Sequence, residues 1–122
     1  MIVENCTIES NKYPMGLKNI NDKPSILYYN GSIECINKYK NIAVIGTRKA
    51  SENGLKIAYE TGAFLAKNNI NVVNGLALGC DTEALRGALD NGGRCIVLLP
   101  CGLDNIQPKS NRSLADRIVQ NG

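Results

Sequence analysis

A parallel α/β fold is the expectation for this 122-residue chain, and three observations carry it. Apolar-rich segments of strand length recur at residues 42–45, 70–73 and 94–99, the first of them continuously apolar. A stretch with helical periodicity follows each run. The turn after each run contains a glycine together with polar groups. Strands alternating with crossover helices imply parallel pairing and right-handed connections. The carboxyl ends of such strands line one crevice, so the three turns are expected to meet at a single edge.

Each element has a local reason. Residues 1–40 are rich in Asn, Lys and Tyr and are broken by Pro14 and Pro24, which reads as an arm or cap. Within it residues 25–29 have the β-branched and aromatic character of a short strand, Asn30 and Gly31 supply a turn, and 32–38 reads as a helical turn. After the first strand, Ser51 is a helix N-cap, and Leu55, Ala58, Tyr59, Gly62, Ala63, Leu65 and Ala66 recur at three and four. Asn68 and Asn69 close that helix. Asp81 is expected to cap the next one, which carries Ala84, Leu85, Ala88 and Leu89 and stops at Asn91, Gly92 and Gly93. A last helix covers 111–120, with Ser110, Asn111 or Ser113 as its cap. The expected architecture is a three-layer, Rossmann-like parallel sheet with helices on both faces, at 41–122, preceded by the short N-terminal arm at 1–40.

Composition narrows the function classes. A chain of this length with 43% hydrophobic residues buries one core. Fourteen basic against 11 acidic residues give a net charge of +3, so nucleic-acid binding must come from a local patch. Cys6, Cys35, Cys80, Cys95 and Cys101 show no C-x-x-C spacing, and three lie in or beside apolar runs, which suits buried thiols in a reducing cytosol. With no histidine, a Ser-His-Asp or Cys-His triad cannot be assembled and histidine-ligated metal chemistry is excluded. No metal or cofactor is expected. No apolar run approaches 18 residues and no signal-peptide pattern opens the chain, so the expectation is a soluble cytoplasmic protein without membrane association.

The turns carry phosphate chemistry. In the first, Gly46 allows close backbone approach, Thr47 and Ser51 offer hydroxyls, Arg48 offers a planar cationic fork and Lys49 a second charge. The helix beyond would aim its free N–H groups at the same spot. This is neither a dinucleotide G-x-G-x-x-G nor a Walker A loop. The alternative is a tight strand-to-helix turn with an exposed arginine. In the second turn, Asn74, Gly75, Leu76, Ala77 and Gly79 form a loop suited to presenting successive N–H groups, and Arg86 follows in the helix. Asp81 reads as a structural cap, since a carboxylate beside phosphate would repel it. The third turn holds Gly102 and runs into Lys109, Asn111 and Arg112, whose alternative is a plain solvated loop.

Taken together these stretches resemble the DNA-processing protein A family, also called Smf, whose members protect incoming single-stranded DNA in bacterial natural transformation. The resemblance is carried by Tyr13-Pro14, Leu17, Asp22-Lys23-Pro24, Leu27-Tyr28 and Gly31, by residues 43–51 with Gly54, and by residues 72–81. It continues through Arg86-Gly87-Ala88-Leu89, Gly92-Gly93, Gly102-Leu103-Asp104, Pro108 and Asn111. It implies a single-stranded DNA pocket in which Arg48 meets phosphate and Gly46, Thr47, Ser51 and residues 75–79 form the lining. It further implies a homodimer, a RecA-type recombinase as partner and no catalysis. The chain departs from the pattern at Leu85, where the family has histidine, at Gln107, where it has tyrosine, and at Asn74, where it has serine. It reaches Gly122 about where the family's domain is half complete, so part of the pocket and of the dimer surface is expected to be missing. Two other functions stay open on the residues alone. One is a small-nucleotide sensor or a nucleoside-phosphate-processing protein; the other is a structural, protein-binding module.

Overall fold

The computed structural model describes residues 2–121, which form two sheets. In the N-terminal region β1 (Glu4–Thr7) pairs antiparallel with β2 (Ile26–Tyr29), and α1 (Glu34–Lys38) follows. The second sheet is parallel: β3 (Asn41–Ala43), β4 (Asn71–Asn74) and β5 (Cys95–Val97) lie side by side in that order. Between them run α2 (Glu52–Lys67) and α3 (Cys80–Asp90), and α4 (Arg112–Gln120) ends the chain. The Rossmann-like α/β class, a parallel sheet flanked by helices, is therefore what this sequence adopts.

Register explains which residues enter the core. Ile42, Val72 and Cys95 lie level across the parallel sheet, as do Ala43, Val73 and Ile96, and strand alternation turns the two rows to opposite faces. Consecutive strand order puts both crossover helices on one face. There Val72, Leu76, Ala84, Leu85 and Ala88 are completely buried, with Leu65, Leu89, Cys95 and α4's Leu114 and Ile118 around them. Burial pushes the Cys95 thiol up to about 12. The close crossing of α2 on α3 depends on two absent side chains, because a Cβ on Gly62 would run into the carbonyl of Ala84 and one on Gly87 into that of Tyr59. Ser51 caps α2 as expected, its Oγ accepting the Gly54 amide at 3.1 Å.

The strands are shorter than the apolar runs. The first starts at Asn41 and is extended past Ala43 only by the Val44 amide donating to Val73 O at 3.0 Å. The run at 94–99 contracts to Cys95–Val97, since Leu98 makes the last ladder bond, to Asn74 O, where β4 ends. Asp81 is not a cap. Gly79 holds the N-cap position of α3 and Asp81 lies in its first turn.

β1 has no visible strand pattern, and its pairing comes from tertiary context. Cys6 packs with Tyr13 and Ile33 in a core of the N-terminal region, with Ile8, Leu17, Leu27, Tyr29 and Ile36 against it. Tyr13 is fully buried, and its hydroxyl donates to Pro24 O at 2.7 Å. Buried Asn71 ties this region to the parallel sheet: its Nδ2 donates to Cys35 O and Asn41 Oδ1, while its Oδ1 accepts from Arg94 Nε. The Arg94 guanidinium stacks 3.6 Å from the centre of the Tyr39 ring.

The row of Val73 and Ile96 does not join the main core. Together with Leu98 it lines an apolar groove of about 1140 Å³ that also takes in Ile33 and Ile36 of the N-terminal region and Ala115 and Val119 of α4.

Candidate nucleic-acid interface

The loop after β3 is laid directly on the start of α3. The Cys80 amide donates to Thr47 O at 3.2 Å. Gly79, at φ +83°, occupies the left-handed region, and a Cβ there would meet the carbonyls of Thr47 and Arg48. A Cβ on Gly46 would lie 2.7 Å from the Cys80 side chain. The first glycine is therefore required for contact between loops; the space it leaves is filled by Cys80, not by a ligand. The same contact fixes Arg48 at the rim of a pocket of about 360 Å³.

That pocket is lined by Arg48, Ala50 and Leu55 on one side and by Leu78, Gly79, Thr82, Glu83 and Arg86 on the other, with Ser110 and Asn111 closing it. Of the residues expected from sequence, it brings together Arg48, Gly79, Arg86 and Asn111. Arg48 and Arg86 are exposed, and neither forms a salt bridge among the described residues. Asn111 is 3% exposed and is part of the frame, because its Nδ2 donates to Leu76 O and to Thr82 Oγ1. Thr82 passes its own hydroxyl hydrogen to Ala77 O at 2.7 Å.

The glycine loop after β4 does not offer its donors to a ligand, contrary to expectation. Asp81 Oδ2 accepts the amides of Gly75 and Ala77 at 3.2 and 3.3 Å, and the Leu76 amide donates to Asn74 Oδ1. Asn74 is buried, its Nδ2 donating to Val44 O and Asp81 O. Leu76 is fully buried at φ +66°, a conformation that costs an ordinary residue about 1–2 kcal/mol. The Asp81 and Asn74 bonds hold it there. These five contacts make the loop a self-satisfied knot that presents Leu78 and Gly79 to the pocket.

The remaining expected residues lie elsewhere. Thr47 Oγ1 accepts the Lys49 amide, and Ser51 is engaged in its cap. Lys49, Lys109 and Arg112 are exposed and do not line the pocket, and Gly102 lines the apolar groove. The sequence assigns no strand-binding role to Leu55, Glu83 or Ser110, whereas Leu78 lies within the 75–79 lining that the family resemblance implies. Leu78 had a signal, an apolar side chain in a polar loop, and it is 47% exposed. Glu83 carries only a weak one, a glutamate downstream of the glycine loop, as a nucleoside-phosphate-processing protein would have it. Among the described residues no group of three or more Cys, Asp or Glu is arranged to hold a metal ion, and no disulfide joins any of the five cysteines.

Comparison with known proteins gives this geometry its context. The family model for DNA recombination-mediator protein A matches residues 4–122. The DNA processing protein DprA of Streptococcus pneumoniae is 40% identical over 106 residues, covering 87% of this chain and 37% of the relative. Protein Smf of Borreliella burgdorferi is 34% identical over 114 residues, 93% of this chain and 36% of that protein. The X-ray structure of the Streptococcus pneumoniae DprA superposes with a TM-score of 0.86 at 37% identity, covering 94% of this chain and 40% of that one. DNA processing protein A from Helicobacter pylori, described with a single-stranded DNA binding mode, superposes at 0.83 with 33% identity, covering 98% and 53%. The chain thus spans a little over a third of the length of the curated relatives. With the family model matched from Glu4 to the last residue and both structures superposing over nearly all of it, this chain belongs to the DNA recombination-mediator protein A family.

Proposed function

We propose that this chain binds single-stranded DNA through phosphate contacts at the Arg48–Arg86 pocket, without catalysing a reaction. The observation that carries the reading is the convergence of two guanidinium groups that form no salt bridge among the described residues, one from the loop after β3 and one from α3, on one pocket at the carboxyl edge of the sheet. Such forks suit phosphate oxygens. The Helicobacter pylori relative, with its single-stranded DNA binding mode, supports the choice of ligand. Within the cell the reading places the chain in the cytoplasm, acting in DNA uptake and in delivery of the strand to a RecA-type recombinase, as a homodimer.

The test is fluorescence anisotropy of labelled oligo-dT against the chain and its Arg48→Ala variant across a salt series. Each phosphate neutralised on a single strand contributes about −0.7 to the slope of log affinity against log salt. Two arginines predict a slope near −1.4, and Arg48→Ala reduces its magnitude by about 0.7. A salt-independent signal, or one that Arg48→Ala leaves intact, overturns the proposal. Stronger competition by ATP than by the oligonucleotide moves the site to a free nucleotide.

A further inference from the structure

A site for phosphate alone has no use for an acid, yet Glu83 lines the same pocket as Arg48 and Arg86. The carboxylate is half-buried, and among the described residues its side chain makes no hydrogen bond or salt bridge. Its place in the first turn of α3 suits a carboxylate, but the hydrogen bonds that hold the frame of the pocket come from other residues, Asp81, Thr82 and Asn111. Beside it stand Leu55 and the exposed Leu78, two apolar side chains on opposite walls. The pocket therefore presents cations, an apolar surface and one uncommitted pair of acceptor oxygens.

A nucleotide with donors on its base edge matches all three. The phosphate takes the arginines, the flat face of the base takes the leucines, and the edge takes the carboxylate. An ionised carboxylate only accepts, through two oxygens side by side. Guanine alone among the bases carries two adjacent donors on the edge that an unpaired strand exposes, N1–H and the N2 amino group. Thymine has a single N3–H between two carbonyl oxygens, which the carboxylate repels. In adenine and cytosine the amino group stands next to an acceptor ring nitrogen. Bases in single strands are read on this edge.

We infer that Glu83 is a specificity-determining residue that selects guanine in the strand bound at the Arg48–Arg86 pocket. The inference rests on the strand-binding reading above and adds a base preference to it. A paired base contact is worth roughly five- to a hundredfold in discrimination.

Anisotropy titrations of the chain and Glu83→Gln with oligo-dT and with the same oligomer carrying one central dG test it, with GMP as competitor. Glutamine keeps the side-chain length but replaces one acceptor oxygen by a donor. The expected result is a preference of about tenfold for the dG oligomer that falls to about one in Glu83→Gln, with GMP competing weakly. Equal binding of both oligomers, or a preference that survives in Glu83→Gln, overturns the inference while salt-sensitive oligo-dT binding leaves the strand reading standing. Failure of both oligomers to bind overturns both readings. Competition by GMP as strong as by the dG oligomer overturns the assignment to a strand in favour of the free nucleotide.

Discussion

Asp81 is the residue on which the pocket's floor depends. Its carboxylate takes the amides of Gly75 and Ala77, its carbonyl takes Asn74 Nδ2, and the residue is 5% exposed. The backbone bends over it with Leu76 in the left-handed region. Asp81→Ala leaves two amides without an acceptor, and each buried unsatisfied donor costs about 1–3 kcal/mol. The expected outcome is a lowered urea midpoint with an unchanged slope, together with weaker strand binding, because Leu78 and Gly79 lose their support. Asp81→Asn retains one acceptor oxygen and is expected to fall between the two. Wild-type stability in Asp81→Ala would show that water replaces the carboxylate. From sequence alone the residue reads as a cap, because aspartate before a helical run is the usual N-cap pattern. Only the three-dimensional course of residues 75–79 shows that it reaches backwards instead of forwards.

At the scale of elements, α2, α3 and α4 are joined on the surface by one carboxylate. Tyr59 on α2 donates its hydroxyl to Asp90 Oδ2 at 2.7 Å, and Arg117 on α4 donates to Asp90 Oδ1 at 3.0 Å. The Tyr59 hydrogen bond, followed by that of Arg117, holds the Asp90 carboxyl below its ordinary 3.8. A depressed folded value means that the stability it contributes is fully present above that ordinary value and is lost as pH falls through the folded one. The urea midpoint of the chain should therefore drop as pH falls below about 4 by more than that of Asp90→Asn, whose clamp cannot titrate. Parallel curves for the two proteins would exclude the clamp as a contributor. These helices were legible in sequence because periodicity of three and four survives any context, and Ser51 marks its own cap. The short strand β1 was not legible, since residues 4–7 carry one buried side chain, Cys6, and pair only because β2 and Tyr13 stand ready. The pocket was half legible for a related reason. Arg48 and Leu78 lie in glycine turns that announce themselves and Arg86 in the helix beyond one, whereas Glu83 and Leu55 become their neighbours only when the loop after β3 is pressed onto α3.

For the molecule as a whole, the two faces of the parallel sheet differ in what covers them. One is packed under α2 and α3; on the other, Ala43, Ile45 and Leu98 are exposed, with Ile45 72% and Leu98 56% accessible, and Val73 and Ile96 open into the large apolar groove. The unpaired outer edge of β5 borders the same groove. An apolar groove of about 1140 Å³ beside a free strand edge is a surface that water does not stabilise. The 122-residue chain on its own is expected to bind an apolar fluorescent dye in its folded state and to sediment as a concentration-dependent mixture of species. Leu98→Lys and Ile96→Lys place charges on that face without touching the Arg48–Arg86 pocket, and are expected to abolish both behaviours while the far-ultraviolet circular dichroism stays that of the wild type. Charge on an exposed sheet face is also the usual device by which edges are kept from pairing with one another. A wild-type chain that neither binds the dye nor associates at high concentration would mean that the arm and α4 close over the groove in solution. Substituted chains that lose their circular dichroism would instead show that Val73, Ile96 and Leu98 are held in the core by contacts the static structure leaves open.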